Sequence, residues 1–272
     1  MNHQFKGEPV DVPVSIRWLN PIGSAAWDTP IGEMLHSIKQ PATNVEVVSF
    51  DMTPTPSHLE YRSYEALIYE RTIAVARDSA QQGVDALIVG CFYDPALEAA
   101  REISAETVVV APCQASIQIA ANLANRFSVI VGREKWIEQM TERVRAYGQI
   151  DRLASMRPLG MGVVDFQADP AFTRRRIIEE AQRAVSEDRA EAIILGCTLE
   201  FGFFDAVQQA VGVPVIDPVV AAFKMAEALA KFKKQFGWKP SRVWSCEPPP
   251  EAELREFGLF QGPVPIANSV SF

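Results

Sequence analysis

The chain has 272 residues, 48% of them hydrophobic and 22% charged, which gives ample apolar material for one large or two small domains and excludes global disorder. With 26 Lys and Arg against 34 Asp and Glu, the formal charge of −8 offers no footprint for a phosphate backbone, so nucleic acid is excluded as a partner. The first fourteen residues carry acids and prolines where a leader would need a continuous apolar stretch, and no later window reaches membrane-spanning length. The reading is a cytoplasmic protein without a membrane partner.

Short β-branched runs at residues 14–19, 44–50, 86–90, 107–111, 127–131, 159–164, 192–196 and 213–216 alternate with longer segments of helical period. Segment 63–82 stops at Gly83, and segment 169–188 opens with Asp169-Pro170, a capping residue followed by a proline suited to the first turn. This alternation predicts an α/β protein with parallel sheets whose strands are buried on both faces. The expected lobes are residues 10–111, completed by the C-terminal segment 219–272, and residues 112–218. Past Arg242 the chain is irregular, and it would pack across the first lobe or join a subunit interface.

Cysteines at 91, 113, 197 and 246 are too scattered for a disulfide framework, and no pair has the spacing of a structural zinc site. The histidines, His3, His36 and His58, all lie in the first quarter of the chain, and His58 reads as a solvated loop residue. Arg174-Arg175-Arg176 reads as a solvated helix face. No glycine-rich phosphate loop occurs, so nucleotide binding has no support.

The most informative pattern is an internal repeat at an offset of 106 residues, which lays residues 84–91 (VDALIVGC) over 190–197 (AEAIILGC). The same offset superposes residues 108–112 on 214–218 and sets Asp94 opposite Glu200. Two copies of one α/β unit thus each place a thiol at the carboxyl end of a strand, where ligands bind in parallel sheets. A single Gly-Cys is by default core packing; its repetition in register, with a carboxylate in register too, favours function for Cys91 and Cys197. Cys113 and Cys246 lack that support. A helix start beside each thiol would lower its pKa toward neutrality, and two thiols on opposite faces of one carbon would perform inversion by proton transfer.

Residues 90–102 (GCFYDPALEAARE), Arg126–Ile130, Leu195-Gly196-Cys197 and Gly212–Asp217 resemble the aspartate/glutamate/hydantoin racemase superfamily, and within it the hydantoin racemase branch. The resemblance runs from about Val14 to Lys231. It implies a cofactor-independent racemase of two Rossmann-like lobes, with the site between them and Cys91 and Cys197 as the catalytic pair. It also implies a small-molecule substrate, most readily a 5-substituted hydantoin, and assembly as a homo-oligomer. Such racemases commonly carry Asn-Pro-Asn and a hydroxyl residue after the first strand; here the stretch is Asn20-Pro21-Ile22-Gly23-Ser24, and Gln114 stands where a Glu is usual.

The candidate substrate contacts are Asn20 as a polar clamp, Phe92 and Thr198 with their backbone as carbonyl contacts, and Tyr93, Pro21, Ser24 and Ser116. Asp94 and Glu200 are candidates too, Asp94 chiefly as a helix-stabilising carboxylate, and neither should point at sulfur because that would raise the thiol pKa. Trp27, Tyr93, Phe201, Phe203 and Phe204 would line an apolar pocket. Rival readings are an aspartate or glutamate racemase, a maleate-type cis–trans isomerase, a two-lobed binding protein and a thiol redox sensor.

Overall fold

The structure, a computed structural model, describes residues 12–272; the reading of the chain's first eleven residues, His3 and the lobe boundary at residue 10 lie outside the described residues. The first apolar runs form β1 (Val14–Asn20), β2 (Thr43–Ser49), β3 (Ala86–Val89) and β4 (Val108–Val110). They pair in parallel in the order β4-β3-β1-β2. Between them run α1 (Asp28–Ile38), α2 (Arg62–Leu67), α3 (Tyr69–Gln81) and α4 (Leu97–Ile103). A second parallel sheet has the order β6-β5-β7-β8, from β5 (Phe127–Val131), β6 (Leu153–Pro158), β7 (Ala192–Leu195) and β8 (Val215–Ile216). Its helices are α6 (Ile137–Ala146), α7 (Pro170–Ser186) and α8 (Phe204–Val211). Every residue of β3 and β7 is buried, as a strand covered on both faces requires.

Two helices join the sheets. α5 (Pro112–Leu123) leaves the first sheet and packs on β7 and β8 of the second; α9 (Pro218–Phe236) leaves the second and packs on β1, β3 and β4 of the first. The two helices also pack on each other. Each opens with a proline in its first turn, where the missing N–H costs nothing. The cap at Asp169 forms, its carboxylate accepting from the Phe172 N–H at 3.0 Å.

Two expectations are corrected. The sixth strand is not 159–164 but β6, one element earlier. β6 lies at the edge of its sheet, all six residues are only half-buried, and it ends in Arg157-Pro158, so its apolar signal is weak. The run at 159–164 follows the strand's carboxyl end, burying Leu159 and Met161 in the core and placing Val163 on the cleft. The expected helix at 63–82 is two helices, parted at Ile68 by a tight turn in which its N–H bonds to the Glu65 carbonyl.

After α9 the chain crosses the first sheet. α10 (Glu251–Glu256) is tied to α3 by a two-pronged Arg77–Glu251 pair at 2.7 and 2.8 Å. β9 (Asn268–Ser271) then adds antiparallel to β2 as the sheet's edge.

Candidate active site

Each thiol sits on a turn whose shape follows from the glycine before it. The Gly90 N–H bonds to the Leu19 carbonyl at 2.8 Å and the Gly196 N–H to the Ile130 carbonyl at 2.7 Å. A Cβ on Gly90 would lie 2.7 Å from the Leu19 oxygen, and one on Gly196 would lie 2.4 Å from the Ile130 oxygen. Only glycine lets the strand end bond to its neighbour there. Two residues beyond each cysteine a backbone N–H, from Tyr93 and from Leu199, reaches back to the sulfur. These donors stand at the same 106-residue offset as the thiols. Across the cleft, the Thr198 hydroxyl donates to the Gly90 carbonyl at 3.4 Å and joins the two turns.

The thiols are not at the starts of the following α-helices, which corrects the expectation of a lowered pKa. Cys91 lies in a turn ahead of the short α4, and Cys197 precedes a single helical turn at Thr198–Glu200. Burial dominates: the Cys91 thiol is pushed up to about 12 and the Cys197 thiol well above the ordinary range, against the weaker pull of the N–H donors. Burial, then the two neighbouring thiols, also push the Tyr93 hydroxyl up, so it stands as a neutral donor.

Both cysteines open onto one narrow cavity of about 70 Å3. Of the expected contacts, the wall brings together Asn20, Pro21, Phe92, Tyr93 and Thr198 with the two thiols. Ser24, Ser116, Asp94 and Glu200 do not line it. The Ser24 hydroxyl accepts from the Ala26 N–H in a local turn, and Ser116 is buried within α5. Asp94 caps α5 rather than its own helix: its carboxylate accepts from the Cys113 and Gln114 N–H groups, each at 2.9 Å, and from the Tyr147 hydroxyl at 2.6 Å. Glu200 accepts from the Cys197 N–H at 3.2 Å, and burial drives its carboxyl well above the usual range.

The expected aromatic pocket is corrected in membership. Trp27 and Tyr93 line the cavity, whereas Phe201 supports Trp27 edge-on at 6.4 Å, and Phe203 and Phe204 pack in or against the core. Sequence reasoning missed Leu59, Glu60, Trp136, Met140 and Val163, and it read His58 as solvated although that residue also lines the cavity. All but Met140 follow the carboxyl ends of β2, β5 and β6, and that position is the signal that would have found them. Glu60 is 6% exposed; it meets the Arg133 guanidinium at 2.7 Å and the Val163 N–H at 3.0 Å, so a loop after β2 is tied to the second sheet.

Asn20 is held at both ends of its amide. Its Oδ1 accepts from the Trp18 indole N–H at 2.7 Å, and its Nδ2 donates to Asp28 at 2.6 Å.

Paired Gly-Cys turns at the carboxyl ends of two parallel sheets, opening on one cavity, belong to an isomerase of the racemase class. The chain belongs to the Asp/Glu/hydantoin racemase family, matched over residues 16–226. It is 37% identical over 214 residues to the hydantoin racemase of Rhizobium meliloti, across 79% of this chain and 88% of that one. To the hydantoin racemase of Pseudomonas sp. (strain NS671) it is 34% identical over 252 residues, 91% of this chain and 98% of that one. Among solved structures, the allantoin racemase from Klebsiella pneumoniae superposes with a TM-score of 0.80 at 27% identity, covering 88% of this chain and 94% of that chain.

Proposed function

We propose that the protein interconverts the enantiomers of 5-substituted hydantoins by proton transfer between Cys91 and Cys197. The observation that carries this reading is that both thiols enter one cavity, each braced by the backbone N–H two residues on. The thiolate of one cysteine takes the proton from the ring carbon next to the carbonyl, giving a thiol and an enolate. The thiol on the other face then donates its proton to that carbon, leaving the mirror image and a thiolate on the second sulfur. A raised pKa makes each thiolate scarce, but a stronger base once formed.

The hydantoin ring delocalises the enolate charge over its own carbonyl and imide, so the reaction needs no cofactor. Asn20 and the backbone of Phe92 and Thr198 meet the ring carbonyls, and preorganised donors of this kind are worth on the order of 3 kcal/mol each. Trp27, Trp136, Met140 and Leu199 offer the substituent an apolar wall. Dicarboxylic substrates fit poorly: the described residues lining the cavity include Glu60 but no Lys or Arg, and His58 is the one lining side chain among them that can carry a positive charge, beside Glu60 itself. The reading divides the chain into lobes 10–111 with 219–272 and 112–218, meeting at this cavity.

The test is to incubate each enantiomer of 5-benzylhydantoin in deuterated water. Circular dichroism should decay to zero for both, with deuterium appearing at C5 by NMR. Cys91→Ala and Cys197→Ala should each abolish racemisation. Absence of deuterium uptake above a Cys91→Ala/Cys197→Ala double variant would refute the reading.

A further inference from the structure

The Asp28 carboxylate is fully buried at the first turn of α1, yet no cation pairs with it among the described residues. It accepts instead from three neutral side chains: the Asn20 amide, the Ser49 hydroxyl and the Asn268 amide, each at 2.6 Å. Asn20 comes from the end of β1, Ser49 from the end of β2, and Asn268 from β9. Of the three, only Asn20 lines the cavity.

We propose that Asp28 is a positioning residue that fixes the Asn20 amide for substrate, and that the C-terminal strand, through Asn268, is part of this device. A side-chain amide has two orientations of similar shape, and its neighbours choose between them. Here both choose alike. The Trp18 indole N–H requires the oxygen, and the Asp28 carboxylate requires the nitrogen. A flipped amide would set donor against donor and acceptor against acceptor in a buried site. Of the amide's two N–H groups and two carbonyl lone pairs, one of each is thereby used. The remaining N–H and lone pair match a ring –CO–NH– edge, which itself offers one acceptor and one donor.

The carboxylate is needed as such because it faces three donors at once. An amide in its place would present its own N–H to at least one of them. Asn268 brings the last strand to the same carboxylate, so the segment after α9 reaches the cavity through a chain of two hydrogen bonds.

The kinetic arm of the test rests on the hydantoin reading, and the spectroscopic arm does not. Asp28→Asn should lower kcat/KM for 5-benzylhydantoin on the order of tenfold or more. In an Asn20→Ala background the same change should cost nothing further, because its effect passes through Asn20. Independent, additive losses would overturn the proposal. Asn268→Ala, outside the cavity and on an edge strand, should give a smaller loss in the same direction and serves if Asp28→Asn does not fold. In the spectroscopic arm, the Trp18 indole proton, assigned with Trp18→Phe, should move upfield in Asp28→Asn and in Asn268→Ala as its bond to Asn20 loosens. An unmoved indole signal in folded variants would overturn the positioning role even if the wild type fails to exchange 5-benzylhydantoin, an outcome that by itself refutes only the substrate reading.

Discussion

The Cys91 thiol is pushed up to about 12 chiefly by burial, with the carboxylates of Glu65 and Asp94 adding to the rise and the Tyr93 N–H opposing it. For Cys197 burial again leads, but Glu200 comes next and the opposing Leu199 N–H only after it. Both sulfurs are therefore thiols near neutral pH. Alkylation by iodoacetamide, read residue by residue by mass spectrometry, should accelerate steadily from pH 7 to pH 10 for both without reaching a plateau, because only the thiolate reacts. A plateau near pH 8 would show that the turn donors outweigh burial. The pairing of these two residues was legible in the chain, since glycine, cysteine and carboxylate recur at one offset. Their titration was not, because it depends on whether an α-helix begins at the thiol, and the local turn decides that. His58 escaped for a related reason: a polar loop looks solvated in sequence, and contacts from distant residues, those of Glu60 and the Gly23 N–H to the Pro56 carbonyl among them, fold it over the cavity.

At the scale of elements, α5 and α9 stand at equivalent places in the repeat but are capped from different sources. α5 is capped by Asp94, from the first cysteine turn, and α9 by its own Asp217, which accepts from the Val219 N–H at 2.8 Å and the Val220 N–H at 3.3 Å. Asp217 also accepts from the Gly202 N–H at 3.2 Å, so in both halves a carboxylate joins a cysteine loop to a crossover helix. Burial is the main influence on Asp217 and raises its carboxyl to about 6 from an ordinary value of 3.8, although three N–H donors favour the charged form. A carboxyl with a raised pKa in the folded chain binds its proton more tightly there than in the unfolded chain. Its contribution is thus fully present below about pH 4 and is lost as pH rises through about 6. Asp217→Asn keeps an oxygen for the Val219 and Val220 N–H groups, gives up the bond from Gly202 at every pH, and removes the titration. In urea unfolding, wild type should lose about 2 kcal/mol relative to this variant between pH 4 and pH 6, and a constant difference would contradict the assignment. The crossover helices open at Pro112 and Pro218, positions that the 106-residue offset superposes, whereas β6 and β9 left no such mark in the chain. Both are edge strands, half-buried or polar, whose pairing is set by neighbours distant in sequence.

In the whole molecule the two sheets are joined covalently through α5 and α9, which pack together, and among the described residues a second rim is tied by side chains. That other rim carries Glu60–Arg133 at 2.7 Å, Arg62–Glu142 at 2.8 Å, and the Gln139 amide donating to Glu65. These ties differ in consequence. Arg62 and Glu142 are about half exposed, at 54% and 46% of their side-chain surface, and such pairs are worth about 0–1 kcal/mol. Glu60 is 7% exposed at its side chain and forms part of the cavity wall, so removing Arg133 leaves a nearly buried carboxylate without its nearest counter-charge. Arg133→Ala should therefore release the loop from Ser57 to Glu60 as well as the Val163 amide that Glu60 holds. By hydrogen–deuterium exchange, those amides should open on the order of tenfold faster, while the strands β3 and β7 keep their protection. If hydantoins are the substrates, as proposed above, the same change should raise KM more than it lowers kcat, since the wall is loosened but the thiols and their N–H donors are untouched. Arg62→Ala, by contrast, should leave exchange at residues 57–60 unchanged. If both substitutions loosened the loop equally, the rim would act as one uniform surface of ion pairs, and Glu60 would have no distinct place in closing the cleft.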